Sequence, residues 1–515
     1  MITTGAVPLS IKFNGGLDTT TSPINIGNES SPNCKNVHTT LSGTLVRRNG
    51  YDDIVTATNG RVCNGVFDYW KDSITHYLIT YYDKYLYKMD IGADNRLDNV
   101  LDSIVFSAQM ANSTMEFEQF NDAGTNYLIM ASYNRDTLQK YEGTNCSNLS
   151  SDTDMPKPKY IKQWKGYLFC ANIENYESRV YYNDVSGAII DDGDWSATKY
   201  EDIRTNDGDY ITGLAVLKGR LYTFKRNSIH RWTYLGGSPL WSIKDAVNGV
   251  GAISSKSIIN MTHPKYGEVL VFLAPDARFY AFDGSQAIPI SSKIETENYV
   301  SEFNLSRLNR DYLQVACAVD YQYRHWYVCS VPTGATNDWT VIWDYYTDSW
   351  WVFDIDMSAC AIVQSGGERN LYFGSDVSKL YRFDYGNSDD SANIAVNYDT
   401  KKFSHDNIPI LKSQHYLDIQ LRNVPATSIN VKQKSDWATS WSDAEVKSCD
   451  GGGFILGTSK LGDTLGGPDG LYATVDLPNI NNTQQIRFYS SDDDPAWQIY
   501  AADLVTSGEG YGKGS

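Results

Sequence analysis

The chain has 515 residues, 44 Lys+Arg against 62 Asp+Glu, and a formal net charge of -18. With 41% hydrophobic and 21% charged residues it has the composition of a folded chain rather than a disordered one. The charge argues against tight, sequence-independent nucleic-acid binding, which needs clustered Lys and Arg to release counterions from phosphates.

No apolar run reaches the ~18 residues of a membrane helix. Met1-Ile2-Thr3-Thr4 lacks the basic start and apolar core of a signal peptide, so synthesis in a cytoplasm is the expectation. The 37 Tyr, 17 Phe, 13 Trp and 40 Gly favour half-buried strands and many turns, hence an all-β protein. The eight cysteines contain no CxxC pair and read as core thiols.

Residues 1–58 form an N-terminal arm. Phe13-Asn14-Gly15-Gly16-Leu17-Asp18 is rich in turn formers. Ser31-Pro32-Asn33 suits a short helix, with Ser31 as cap and Pro32 at its first position. The strand Thr44-Leu45-Val46-Arg47-Arg48 follows, and Asn49-Gly50 signals a turn. The arm is a source of strands that close a ring.

Residues 59–400 carry a faint repeat of two bulky residues, a spacer, another bulky residue and often an acid. Clear copies are Leu86-Tyr87-Lys88-Met89-Asp90, Phe279-Tyr280-Ala281-Phe282-Asp283, Trp350-Trp351-Val352-Phe353-Asp354 and Leu380-Tyr381-Arg382-Phe383-Asp384. Another starts at Leu138, and looser ones at Val180 and Ile229. The seven copies span 294 residues over six intervals, a mean of 49, with gaps of 30 to 71. Most have a second apolar run just upstream. Short paired strands at this period match the four-stranded blade of a β-propeller, with six to eight blades expected and seven counted, each ending in the repeated strand. Radial packing buries both faces of each sheet and leaves only short edges. No WD40 or kelch signature recurs.

Residues 401–507 change to short alternating strands, such as Tyr416-Leu417-Asp418-Ile419-Gln420-Leu421 and Ile486-Arg487-Phe488-Tyr489. They predict a C-terminal β-sandwich interrupted by a glycine-rich loop over 456–470. Residues 508–515 read as a flexible tail.

Phe13 to Asp18, Ser22-Pro23, Ser31 to Val37 and Gly43 to Tyr51 together resemble β-propeller tail proteins of tailed bacteriophages, the podovirus tail-nozzle and packaged-DNA-stabilisation group. Asp207 to Leu214, running on to Ile229, is similar to a mid-propeller segment of that group. Leu456 to Gly462 with Trp497-Gln498-Ile499-Tyr500 resembles its sandwich. The resemblance implies a structural virion protein in a ring, usually sixfold, that lines the DNA channel and helps retain packaged DNA. Its implied partners are further copies, the portal adaptor and tail fibres, with DNA passing unbound along an electronegative wall. Phe13, Gly15, Gly16, Leu17, Arg47 and Arg48 are the candidate assembly contacts, and Arg47-Arg48 is expected to be an exposed strand pair. The arm and sandwich, outside the closed propeller, are the expected contact regions. Deletion of 1–40 is accordingly expected to disrupt assembly more than propeller folding.

No catalytic residue, cofactor or metal is expected. None of His38, His76, His230, His263, His325, His405 and His415 has metal-ligand spacing. The acidic window Asp191 to Asp209 has the oxygen chemistry of a Ca²⁺ loop without EF-hand spacing, and reads as solvated loops. Two alternatives stand beside the structural reading. One is glycan or receptor binding through aromatics. For that reading, Trp350-Trp351 is the pair to examine, since consecutive strand residues face opposite ways and one is expected outward. The other is a propeller glycosidase, which needs two facing carboxylates ~5–9.5 Å apart.

Overall fold

The computed structural model describes residues 7–511, apart from 57–61, 83–84, 92–96, 106–113, 192, 205–206, 299, 366, 405–409, 437 and 451–470. The predicted glycine-rich loop, the Leu456 to Gly462 motif and His405 lie outside the described residues.

Among the described residues the chain forms seven four-stranded antiparallel sheets, spanning 63–105, 116–148, 158–202, 211–248, 259–289, 317–353 and 359–383. They are called blades 1 to 7 here. The innermost strand of each blade touches that of the next, and Ala359–Ser365 of blade 7 touches Cys63–Trp70 of blade 1, which closes the ring. The fourth strand of blade 7 is Tyr51–Thr56, paired antiparallel with Lys379–Phe383. The strand-donating arm expected from the sequence is therefore present, and it joins the two ends of the ring.

The repeated motif marks the third strand in six blades rather than the blade's end; a fourth strand follows it in the chain in five of these, and in blade 7 the arm supplies it. In blade 6 the motif instead falls on the fourth strand, Ser349–Phe353, because the third strand there is the longer Asn337–Asp344. That slip, together with the insertion 290–316, accounts for the 71-residue and 30-residue gaps.

Aromatic rings fill the wedges between blades. Trp241, at the start of the outer strand of blade 4, lies 5.2–5.6 Å from Trp164, Tyr167, Phe169 and Tyr182 of blade 3. Edge-to-face packing at such separations adds to the area these large rings bury. Inside blade 6, every residue of Trp326–Pro332 is buried, as a strand covered on both faces requires.

The β-sandwich is built from both ends of the chain. One sheet pairs Ile410–Leu421 with Leu471–Asn481 and Gln498–Tyr511, and is extended by Val7–Ile11, Leu45–Arg47 and Val37–Thr39. The other runs Glu445–Ser448, Ser428–Ser435, Gln484–Asp492, Ile394–Asp399 and Asn33–Lys35. The apolar faces of the two sheets share one core with blades 5 and 6.

Four local expectations are corrected. Ser31-Pro32-Asn33 is not helical, since Ser30–Ser31 and Asn33–Lys35 are strands flanking Pro32. Here sheet pairing with Ile394–Asp399 overrides the local cap signal. Residues 508–511 are not a free tail, because Gln498–Tyr511 is one strand. The arm does not stand outside the folded body: its strands are members of both sandwich sheets. Trp350 and Trp351 are both buried, at 1% and 0% exposure, because the arm covers the outer strand of blade 6.

Candidate functional site at the seam and the axial mouth

The six residues singled out in the sequence converge on one seam between propeller and sandwich. Phe13 packs edge-on against Tyr398 at 5.5 Å and Phe488 at 6.1 Å. Leu17 is fully buried. Gly16 has φ +69°, and a Cβ there would lie 2.6 Å from the Trp350 carbonyl oxygen, so only glycine fits. Gly15 meets the Ser30 hydroxyl equally closely.

Arg47 and Arg48 are buried, not exposed, at 1% and 2%. Arg47 donates to the carbonyls of Asn387, Asp492 and Asp494, and pairs with the Asp492 carboxylate at 3.0 Å. Arg48 forks onto Asp389, with Nη1 2.7 Å from Oδ1 and Nη2 on Oδ2. Its Nε donates to Asn36 at 2.8 Å and its guanidinium lies 5.6 Å above the Phe353 ring. Burying two guanidinium groups is tolerable because carboxylates and carbonyls receive most of their N–H groups, Arg47 Nε alone of the two Nε atoms finding no partner among the described residues. Burial pushes the Asp389 carboxyl upward, and Arg48 opposes that rise. The physical reason the sequence misleads is plain: a charged pair in a strand looks solvated until the strand's partners, hundreds of residues away, are known.

A second site lies where the innermost strands begin. A cavity of about 340 Å³ opens at that end of the propeller axis, lined by residues from all seven blades or the segments leading into them. Tyr133, Tyr160 and Tyr210 supply its aromatic walls, and Lys159 and Lys256 its charge. Tyr133 takes a left-handed backbone with φ +51°, which is costly for a bulky residue. Its ring meets that of Tyr160 edge-on at 5.6 Å.

Lys256 donates to the Asn64 carbonyl at 2.8 Å and also lines a deeper cavity of about 140 Å³ with Glu116, Cys317 and Cys360. Glu116 accepts from the Ser255 hydroxyl. Burial pushes the Glu116 carboxyl upward, against the pull of Lys256. The upper cavity is lined by no carboxylate, and the deeper one by Glu116 alone. The facing acid pair that a glycosidase needs is thus missing from the described lining of both cavities.

The acidic window is largely committed to its own loops. Asp207 pairs with the fully buried Lys225 at 2.8 Å, Asp209 accepts from the backbone of Arg226 and Asn227, and Asp194 accepts from Asp191 N–H. Asp52, Asp53 and Asp390 approach one another closely enough to share a cation, but the Lys379 ammonium already sits on Asp390, 3.7 Å from Asp53. His230 is buried between Ser228 and Asp245, and His325 stacks on Tyr346 at 5.5 Å. All eight cysteines are free thiols and six are buried.

The axial residues were missed in the sequence because no local signal joins them. They are single residues at blade entrances, brought together only by ring closure. Tyr210 alone fell inside a segment already singled out, Asp207 to Leu214.

The chain is thus an all-β protein, a seven-bladed propeller carrying a β-sandwich. No family model and no curated protein matches the sequence. Solved structures with similar folds include the Pan2 WD40 domain of Neurospora crassa, 8% identical over 65% of this chain and 95% of that one, with a TM-score of 0.38. YCF48 from Cyanidioschyzon merolae is 12% identical over 65% of this chain and 98% of that one, with a TM-score of 0.40. The extracellular domain of a B. thetaiotaomicron one-component system is 11% identical over 65% of this chain, with a TM-score of 0.40. The match spans 40% of that protein's length.

Proposed function

We propose that this protein is a structural component of a bacteriophage tail, acting through its surfaces rather than through catalysis. In this reading several copies assemble into a ring that forms a nozzle or hub, lines the DNA channel, helps retain packaged DNA and contacts the portal adaptor and fibres. The observation that carries the proposal is the seam. The opening segment that resembles the tail-protein group is the part of the chain that locks sandwich to propeller. Its buried Arg48 fork and the Gly16 contact with Trp350 make one firm body of the two.

That body offers surfaces suited to contacts. Tyr472 (77% exposed) and Ile480 project from the sandwich, and Ile74 and Tyr323 from blade turns. Exposed large apolar groups of this kind favour protein–protein contact where they cluster. The axial cavity is far too small to pass DNA, so in this reading the channel runs between copies. The net charge of -18 suits a wall along which DNA slides without adhering.

Mass photometry and negative-stain imaging of the purified protein, alone and with portal and adaptor, test the proposal. A ring with an axial hole is the expected result. A monomer under both conditions, combined with absence of the protein from tails by immunogold labelling, overturns it. A second reading, recognition of a glycan, is favoured by the three tyrosines at the axial mouth.

A further inference from the structure

We propose that the axial mouth binds an acidic sugar, either a uronic acid or a sugar phosphate. This rests on the glycan-recognition reading and is independent of whether the protein belongs to a tail.

Four observations carry the inference. The first is size: about 340 Å³ falls at the lower end of the range of small-ligand sites, suited to a monosaccharide or disaccharide unit. The second is charge. In a chain of net -18, the described lining of this cavity holds two lysines and no carboxylate. Glu116, in the adjoining cavity, accepts from Ser255 and partly offsets the Lys256 charge, so Lys159 is the stronger of the two anion contacts.

The third is the wall chemistry. Tyr133, Tyr160 and Tyr210 line the wall, the first two packed edge-on and Tyr210 exposed at the lip, an aromatic surface of the kind that packs on a sugar's C–H face. Tyr133 is held there on a left-handed backbone, which costs energy and needs a compensating role. The fourth is an unspent polar atom. Asn337 lines the cavity at only 7% exposure, and its Nδ2 donates to the carbonyls of Val315 and Met357. Among the described residues its Oδ1 has no hydrogen-bond partner. An orphaned buried acceptor is costly unless a donor arrives, and a sugar hydroxyl is such a donor.

The roles then divide simply. Lys256 and Lys159 hold the carboxylate or phosphate by charge-assisted hydrogen bonds. The tyrosines hold the ring. Asn337 Oδ1 accepts from one hydroxyl. An uncharged sugar loses the lysine contacts, and a bare anion loses the ring contacts.

The test is calorimetric titration of the full chain with four probes: glucuronic acid, glucose 6-phosphate, glucose and inorganic phosphate. The two charged sugars are expected to bind about tenfold or more tightly than glucose or phosphate. Lys159→Met is expected to weaken charged-sugar binding by about fivefold or more. Lys159 is half-buried at the rim, so the variant is expected to keep the wild-type thermal midpoint. Tyr210→Ala, at the exposed lip, is the second variant and is expected to weaken charged sugars and glucose alike. Binding of a charged sugar to one class but not the other fixes whether carboxylate or phosphate is preferred, and supports the site. The proposal is overturned if none of the four binds, if inorganic phosphate binds as tightly as the charged sugars, or if both variants leave affinity unchanged.

Discussion

Replacing Arg48 with methionine removes a buried charge while keeping most of the aliphatic stem. The guanidinium is 2% exposed and its partner Asp389 13%. In Arg48→Met both Asp389 oxygens lose their charged donors, and Asn36 Oδ1 loses the Nε donor. Breaking one partner of a buried ion pair costs about 3–5 kcal/mol, because the other charge stays behind uncompensated. The pH dependence has a definite sign. Without Arg48, burial raises the native-state affinity of Asp389 for its proton above that of the unfolded chain. The variant's stability therefore falls as pH rises through the raised value, and its deficit against wild type is larger at pH 8 than at pH 5. Urea unfolding followed by tryptophan fluorescence measures both, with Trp350 and Trp497 reporting from either side of the seam. The double variant Arg48→Met/Asp389→Leu removes both charges and should recover at least half of the loss. A single variant within about 1 kcal/mol of wild type, the range of a surface pair, would refute the reasoning. So would a double variant no more stable than the single one.

Four further outcomes are expected. Asp356 has its carboxyl pushed up to about 6, by burial first and then by Asp376 and Asp338. The native state thus holds that proton more tightly than the unfolded chain, and stability falls as pH rises from about 4 to about 6. Asp356→Asn should flatten this slope and add about 1–2 kcal/mol at pH 8, read by thermal unfolding. Gly16→Ala should cost more than about 2 kcal/mol, since left-handed strain adds to a clash with the Trp350 carbonyl. Trp241→Ala empties the wedge between blades 3 and 4 and should cost about 3–5 kcal/mol by urea unfolding. Deleting residues 1–40 removes strands from both sandwich sheets, so hydrogen exchange should show loss of protection along Gln498–Tyr511. Unchanged protection there would return the arm to the separate status its sequence suggested.

Blade architecture was legible because it is periodic. Each blade carries one copy of the bulky pair, on the third strand in six blades and the fourth in blade 6, and ring closure needs only that the count be right. Seven copies were visible, and seven sheets are present. The sandwich was half legible. Alternation in Ile410–Leu421 and Gln484–Asp492 marked it, but nothing local in Val7–Ile11 says that its partner is Ala502 to Thr506. Arg47-Arg48 shows the same limit for side chains, where solvation depends on strands supplied from far along the chain. The axial mouth was illegible altogether. Lys159, Lys256 and Tyr210 share no spacing, and only the geometry of a closed ring makes them neighbours.

The closing strand has a consequence for how the molecule is made. Tyr51–Thr56 leaves the ribosome first among the propeller strands, yet pairs with Lys379–Phe383, which leaves nearly last. Val7–Ile11 waits longer still, for partners at Ala502 to Thr506. Such long sequence separations make for slow folding, because loop-closure entropy is lost before the contacts repay it. During synthesis the nascent chain carries unpaired strand edges at its start, a hazard for aggregation in the crowded cell. The same late lock works in reverse once folding is complete. Neither end can fray without opening the other, so the finished protein should unfold slowly and be long-lived.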